Sequence, residues 1–242
     1  MLAESTDTFT CKTRRISSVR KVLTKSTYRF RLPGYICVES KANLIKGGKG
    51  LLLAARNKSG LQISELQSCQ AWLSGIIYGG KINGKKFESI VTNVHIPSTV
   101  IRRLKASNEI FSLINKAKLK FKKNIILDDF NMDIKGANKI SQKLGASYSR
   151  AKVTNSTGSR WNKNKIGRMI DHIFYAGFTS RENWCTSSKK IYMSDHMPIM
   201  AQWSIDALKD TVKKTKIDAK KVKLIGCQLI CSNRFDALYS EN

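Results

Sequence analysis

Acidic residues are scarce in this 242-residue chain: 17 Asp and Glu stand against 44 Lys and Arg, for a formal net charge of +27. Proline and histidine are scarcer still, at three each. No apolar run approaches the roughly 18 residues that a membrane-spanning helix requires. The opening MLAESTDTFT carries acids where a secretory leader has basic residues followed by an apolar stretch. The six cysteines (Cys11, Cys37, Cys69, Cys185, Cys227 and Cys231) contain no CxxC, and with so few histidines no zinc-ligand spacing arises. Free buried thiols in a reducing, intracellular compartment are the reading that fits.

What is present narrows the class further. A hydrophobic content of 41% excludes wholesale disorder. An excess of one charge repels itself in a compact chain, so a polyanionic partner is the natural counterweight. Nucleic acid is the first candidate, an anionic membrane surface the second, and solubility alone the plainest alternative. Short runs rich in Ile, Val, Leu and aromatics read as strands at 35–38, 50–55, 72–79, 89–97, 124–130, 169–178 and 197–205. Asn83-Gly84, inside KINGK (81–85), is a hairpin signal.

Two stretches read as helices. Over 97–121, Ile101, Leu104, Ile110, Leu113, Ile114 and Ala117 recur at near-helical spacing behind Ser98 or Thr99 as cap. A shorter helix over 137–145 closes at Gly145. Strand hairpins with inserted helices predict a mixed α/β domain over residues 1–205. Residues 206–242 read as a lysine-rich linker and tail leading toward a domain that is not in the chain.

In so basic a chain the carboxylates carry the information. Only twelve lie within residues 1–203, and several interrupt apolar runs. Asp128 and Asp129 follow Ile-Ile-Leu, Asp171 follows Met-Ile, and Asp195-His196 precede Met-Pro-Ile-Met. A single such acid sits most simply on a solvated face. Three of them, with His196 beside one and Asn131 beside another, point to a convergent site. Asp, Asn and His are the groups that hold a hard cation, orient water and neutralise a phosphate.

The motif order resembles the endonuclease/exonuclease/phosphatase superfamily, and within it the endonuclease domains of non-LTR (LINE-like) retrotransposons. LAEST (2–6) is similar to L-Q-E-T, TNVHIPST (92–99) to N-x-Y-x-P, IILDDFNMD (125–133) to G-D-F-N, RMIDHIF (168–174) to R-I-D-x-I, and MSDHMPI (193–199) to S-D-H-x-P-I. GGKGLLLAARN (47–57) resembles the family's glycine-flanked strand. The resemblance implies a DNase I-like four-layer α/β sandwich with two mixed sheets. It also implies an N-terminal truncation, because the family's first strand has no counterpart before Met1.

Carried over residue by residue, the resemblance makes Glu4 and Asp195 ligands of Mg²⁺ (or Mn²⁺) and Asp129 the group that orients or deprotonates water. Asn131 holds that water or a phosphate oxygen, and His196, oriented by Asp171, contacts the scissile phosphate. His95 takes the family's tyrosine position; a polar strand residue is the alternative. Asp128 stands where the family has glycine, a substitution that strains a tight junction. His172 falls on the opposite strand face from Asp171 and is read as structural or surface.

Arg160, Trp161, Lys163 and Lys165 lie in an acid-free stretch (134–170) whose family counterparts approach DNA. The implied activity is a Mg-dependent nuclease nicking DNA in the nucleus, with no membrane partner and a reverse transcriptase following in a full-length element. A catalytically inactive nucleic-acid binder and a phosphatase acting on small phosphoesters are the rival readings.

Overall fold

A computed structural model describes residues 14–20, 31–40, 50–69, 71–82, 85–162, 165–178, 182, 184–187, 195–205 and 227–233. Strands run at β1 Arg14–Arg20, β2 Tyr35–Ser40, β3 Leu51–Arg56, β4 Gln62–Ser68, β5 Trp72–Ile82, β6 Lys85–His95 and β7 Asn124–Asp129. They continue as β8 Tyr148–Arg150, β9 Trp161–Asn162, β10 Lys165–Ile166, β11 Asp171–Ala176, β12 Trp184–Ser187, β13 Ile199–Ile205 and β14 Cys227–Asn233. The helices are α1 Val100–Lys118 and α2 Ile134–Leu144. Every strand run read from the sequence is a strand here. Ile82 pairs with Lys85, bracketing Asn83-Gly84, which lie outside the described residues.

Two six-stranded mixed sheets form, in the orders β12-β13-β14-β1-β3-β2 and β4-β5-β6-β7-β11-β8, with β9-β10 a separate small hairpin. Alternation along the strands explains the stacking. Leu51, Leu53 and Ala55 of β3 and Ile199, Ala201 and Trp203 of β13 meet Leu73, Ile77, Val91, Leu127, Ile173 and Tyr175 of the second sheet in one buried cluster. The other face of the second sheet offers Trp72, Val94, Ile126 and Phe174 to α1 and α2. The residues of β7 and β11 are all buried, as strands covered on both faces must be. Among the described residues the stack is helix–sheet–sheet, where the resemblance implies four layers.

Several details differ from the sequence reading. Ile101 and Leu104, part of the helical spacing read over 97–121, are 84% and 58% exposed, since the buried residues of α1 begin at Ala106. Thr99 holds the N-cap position without a side-chain capping bond. The second helix begins three residues before the expected start: Asp133 accepts a 2.8 Å bond from the Gly136 N–H, a side-chain cap that the apolar pattern does not reveal. Residues 227–233, read as tail, are a strand of the first sheet, with partners on both sides.

Candidate active site

The sheet register assembles the site. Strand β6 runs parallel to β7 and pairs His95 with Asp129; β11 runs antiparallel to β7 and pairs Asp171 with Asp129. His95, Asp129 and Asp171 thus form one cross-strand row at the ends of three adjacent strands. Residues 34 and 42 positions from Asp129 in sequence become its immediate neighbours, and paired residues share a sheet face.

Asp129 is buried, and both its oxygens accept hydrogen bonds. Oδ1 receives the Asn131 backbone N–H at 2.7 Å, while Oδ2 receives Asn131 Nδ2 at 3.1 Å and lies 3.4 Å from His95 Nδ1. Asn131 also donates from Nδ2 to the Ile96 carbonyl at 2.6 Å. Its φ of 50° is left-handed, a region asparagine tolerates better than most residues. The tight turn after β7 therefore aims one amide at the carboxylate and at the segment following His95.

Asp128 immediately before it has φ 101°, and it is the other described non-glycine residue with positive φ. The strain anticipated for a side chain replacing glycine is present in the backbone. Asp128→Gly should raise the melting temperature by about 2–4 °C, the equivalent of about 1 kcal/mol of relieved strain in a chain of this size. A thermal scan showing a lower melting temperature would contradict this.

The second half of the site is a buried relay. Asp171 Oδ2 accepts from Ser159 Oγ at 2.7 Å and from His196 Nδ1 at 2.8 Å. Ser159 Oγ in turn accepts the backbone N–H groups of Ile170 and Asp171 at 2.9 and 3.0 Å. A ring nitrogen 2.8 Å from a carboxylate carries its proton there, which places the acceptor function of neutral His196 on Nε2. The Met197 N–H donates to the Ser159 carbonyl at 2.7 Å, so the same serine fixes both the acid and the chain beside the histidine. Sequence reasoning missed Ser159; a loop hydroxyl twelve residues from its partner leaves no periodic trace.

His172, one residue beyond Asp171, turns to the helix side and is buried rather than on the surface. Its Nε2 donates to the Met132 carbonyl at 2.9 Å, and Phe130 and Phe174 lie beside it. It thereby braces the turn that carries Asn131. Burial pushes its pKa down to about 4, opposed by the Met132 carbonyl bond and lowered further by Arg150.

The folded chain binds this proton less readily than the unfolded one, whose histidine titrates near 6.5. Stability is therefore fully present above about pH 6.5 and falls as pH drops toward about 4, by about 3 kcal/mol in all. His172→Gln, which keeps a donor for the Met132 carbonyl, should flatten the melting temperature between pH 7 and 5; an unchanged pH dependence would refute the assignment.

Arg160 lies across a single antiparallel bridge from His196. Its Nε and Nη2 both reach Asp195 Oδ2 at 3.2 Å, and both side chains are about half exposed, so the pair adds little stability. Asp195, assigned by resemblance to a metal, here faces a guanidinium. A cleft of about 270 Å³ is lined by Asn131, Arg160, Trp161, Asn162, Gly167, Arg168 and Ile170. It joins the Asp129–Asn131 cluster to the β9–β10 hairpin. Gly158 is required at the hairpin base, since a Cβ there would sit 1.7 Å from the Gly167 carbonyl oxygen.

The structure thus brings together His95, Asp129, Asn131, Asp171 and His196, with Arg160 and Trp161 at the adjoining cleft. Arg168 is a cleft residue that the sequence reading did not single out. Lys165 is exposed on β10 and does not line the cleft. Glu4 and Lys163 lie outside the described residues. Among the described residues no group of three or more His, Cys, Asp or Glu is placed to hold a metal ion. Asp195 and Asn131 are oxygen donors of the kind Mg²⁺ takes, but the described residues alone do not complete a cation site.

Comparison with solved structures decides the fold. The catalytic domain of Xenopus laevis APE2 superposes with a TM-score of 0.55 at 12% identity, over 71% of this chain and 76% of that one. A functionally unknown conserved protein of Enterococcus faecalis V583 gives 0.54 at 17% identity, over 69% and 75%. This chain has their fold. An endonuclease/exonuclease/phosphatase family protein from Bacteroides thetaiotaomicron also matches, at TM-score 0.46 and 14% identity over 69% and 72%. The fold shared with the first two structures is the DNase I-like α/β architecture. No protein-family model and no curated protein matches the sequence.

Proposed function

We propose that this chain is a hydrolase of phosphodiester bonds that nicks DNA with Mg²⁺ or Mn²⁺, acting in the nucleus and derived from a non-LTR retrotransposon polyprotein. One observation carries the catalytic reading: the register row His95–Asp129–Asp171, with the Asp171–His196 relay at one end and the cationic cleft beside it. Asp129 takes the proton of the attacking water, which Asn131 holds. His196 presents Nε2 to a phosphate oxygen, its ring and tautomer fixed by Asp171. His95 lies against Asp129 and modulates the same carboxylate. Bound Mg²⁺ would supply charge neutralisation at the phosphate, with Glu4 and Asp195 as its assigned ligands.

Charge favours DNA over a small phosphoester. The chain carries a net +27 and the cleft is lined by Arg160, Arg168 and Trp161, with Lys163 and Lys165 in the same stretch of sequence. A basic surface that neutralises several phosphates releases counterions, so affinity should fall steeply with salt, by about 0.9 logarithmic units per contact per tenfold rise. Replacing Arg160 or Arg168 by Ala should weaken duplex binding and reduce that slope by about one each.

Supercoiled plasmid and a small phosphoester offered in parallel test the substrate class. Nicking without phosphate release from the small ester supports the proposal. Phosphate release alone supports the phosphatase reading, and DNA retardation without cleavage supports the inactive binder. The retrotransposon origin is tested separately by reading transcripts beyond Asn242, where a reverse transcriptase frame is expected.

A further inference from the structure

The lysine-rich stretch after Ile205 reads as a tail, yet Cys227–Asn233 occupies an interior position in the first sheet. On one side β14 pairs antiparallel with β13, from Met200↔Ser232 to Ile205↔Cys227. On the other it pairs parallel with β1, from Arg14↔Leu229 to Ser18↔Asn233. In the strand order it is the link between β12-β13 and β1-β3-β2. Without it the six-stranded sheet would fall into a pair and a triplet, each with a new unpaired edge.

The consequence reaches the site. Strand β13 contributes Ile199, Ala201 and Trp203 to the core between the sheets, and its leading segment carries Asp195, His196 and Met197. Its remaining strand partner, β12, is four residues long. The register runs β14 toward the site: its last residues, Ser232 and Asn233, lie at the end of the sheet where β13 begins. We infer that Cys227–Asn233 is a working strand of the catalytic domain, docked between β13 and β1, and that it holds the His196-bearing strand in position. The functional unit therefore extends to at least Asn233 instead of ending near residue 205.

Hydrogen exchange on the full-length protein tests this whether or not it cleaves DNA. Backbone amides of 228–233 should exchange at least about 100-fold more slowly than an unstructured peptide of the same sequence, as interior strand amides do. Exchange at the peptide's rate would overturn the inference. A substitution adds a second readout. Ile230→Pro removes a ladder donor in an interior strand and should lower the melting temperature by about 10 °C or more. A melting temperature equal to the parent's would also overturn the inference.

Discussion

Asp129→Asn should lower the nicking rate by about 10³-fold while leaving the melting temperature within about 2 °C of the parent. The amide keeps the size of the carboxylate and one oxygen to accept the Asn131 N–H at 2.7 Å. It cannot take a proton from water, and its NH₂ would face either Asn131 Nδ2 or the backbone donor that the carboxylate now accepts. The loss should fall on the chemical step, so single-turnover nicking drops while the dissociation constant for duplex, measured without cleavage, stays within about twofold. A variant retaining a tenth or more of parental activity would show that the proton is taken elsewhere.

Asp171→Asn carries the second large effect. Asp171 Oδ2 receives both Ser159 Oγ and His196 Nδ1, and an amide oxygen in the same place can still accept both. What disappears is the acceptor-only partner that fixes which ring nitrogen carries the proton, since an amide can turn its NH₂ toward Nδ1 instead. Comparable changes in carboxylate–histidine relays cost about 10²–10⁴-fold in rate. The discriminating readout is where the loss falls: single-turnover nicking should drop while the dissociation constant for duplex, measured without cleavage, stays within about twofold. Ser159→Ala should produce a smaller loss of the same kind, since it removes one bond to the carboxylate and one acceptor for the Ile170 and Asp171 N–H groups. An unchanged single-turnover rate for Asp171→Asn would mean that the relay is structural only.

The parts of this arrangement legible in the sequence are those with a local signature. Apolar runs marked β3, β5, β6, β7, β11 and β13, and acids interrupting them marked Asp129 and Asp171, because several such acids with Asn131 and His196 beside them point to one site where a single acid would not. Asn131 and His196 were visible through their neighbours.

Ser159, Arg168 and the cleft were not legible, since they meet the site through a loop and a two-residue hairpin that have no period. Of the two readings of His172, structural or surface, the structural one holds; strand alternation gives the face a residue takes and not what covers it, and Phe130, Phe174 and the Met132 carbonyl lie against it. The C-terminal strand was missed for another reason. CQLICSN has no alternation strong enough to mark it, and its place depends on partners some 30 and 200 residues away.

Ile101 and Leu104 show the reverse failure. Their helical spacing is real, but periodicity states which face they share and not whether anything packs against it.

The central claim is that the row of acids and histidines still cleaves DNA, and strand scission of supercoiled plasmid measures this directly. Full-length protein with Mg²⁺ should convert supercoiled to open-circular plasmid, and Asp129→Asn and His196→Ala, prepared alongside, should each abolish the conversion. Retardation of the plasmid with no open-circular product from the parent, or equal nicking by parent and both variants, would contradict it.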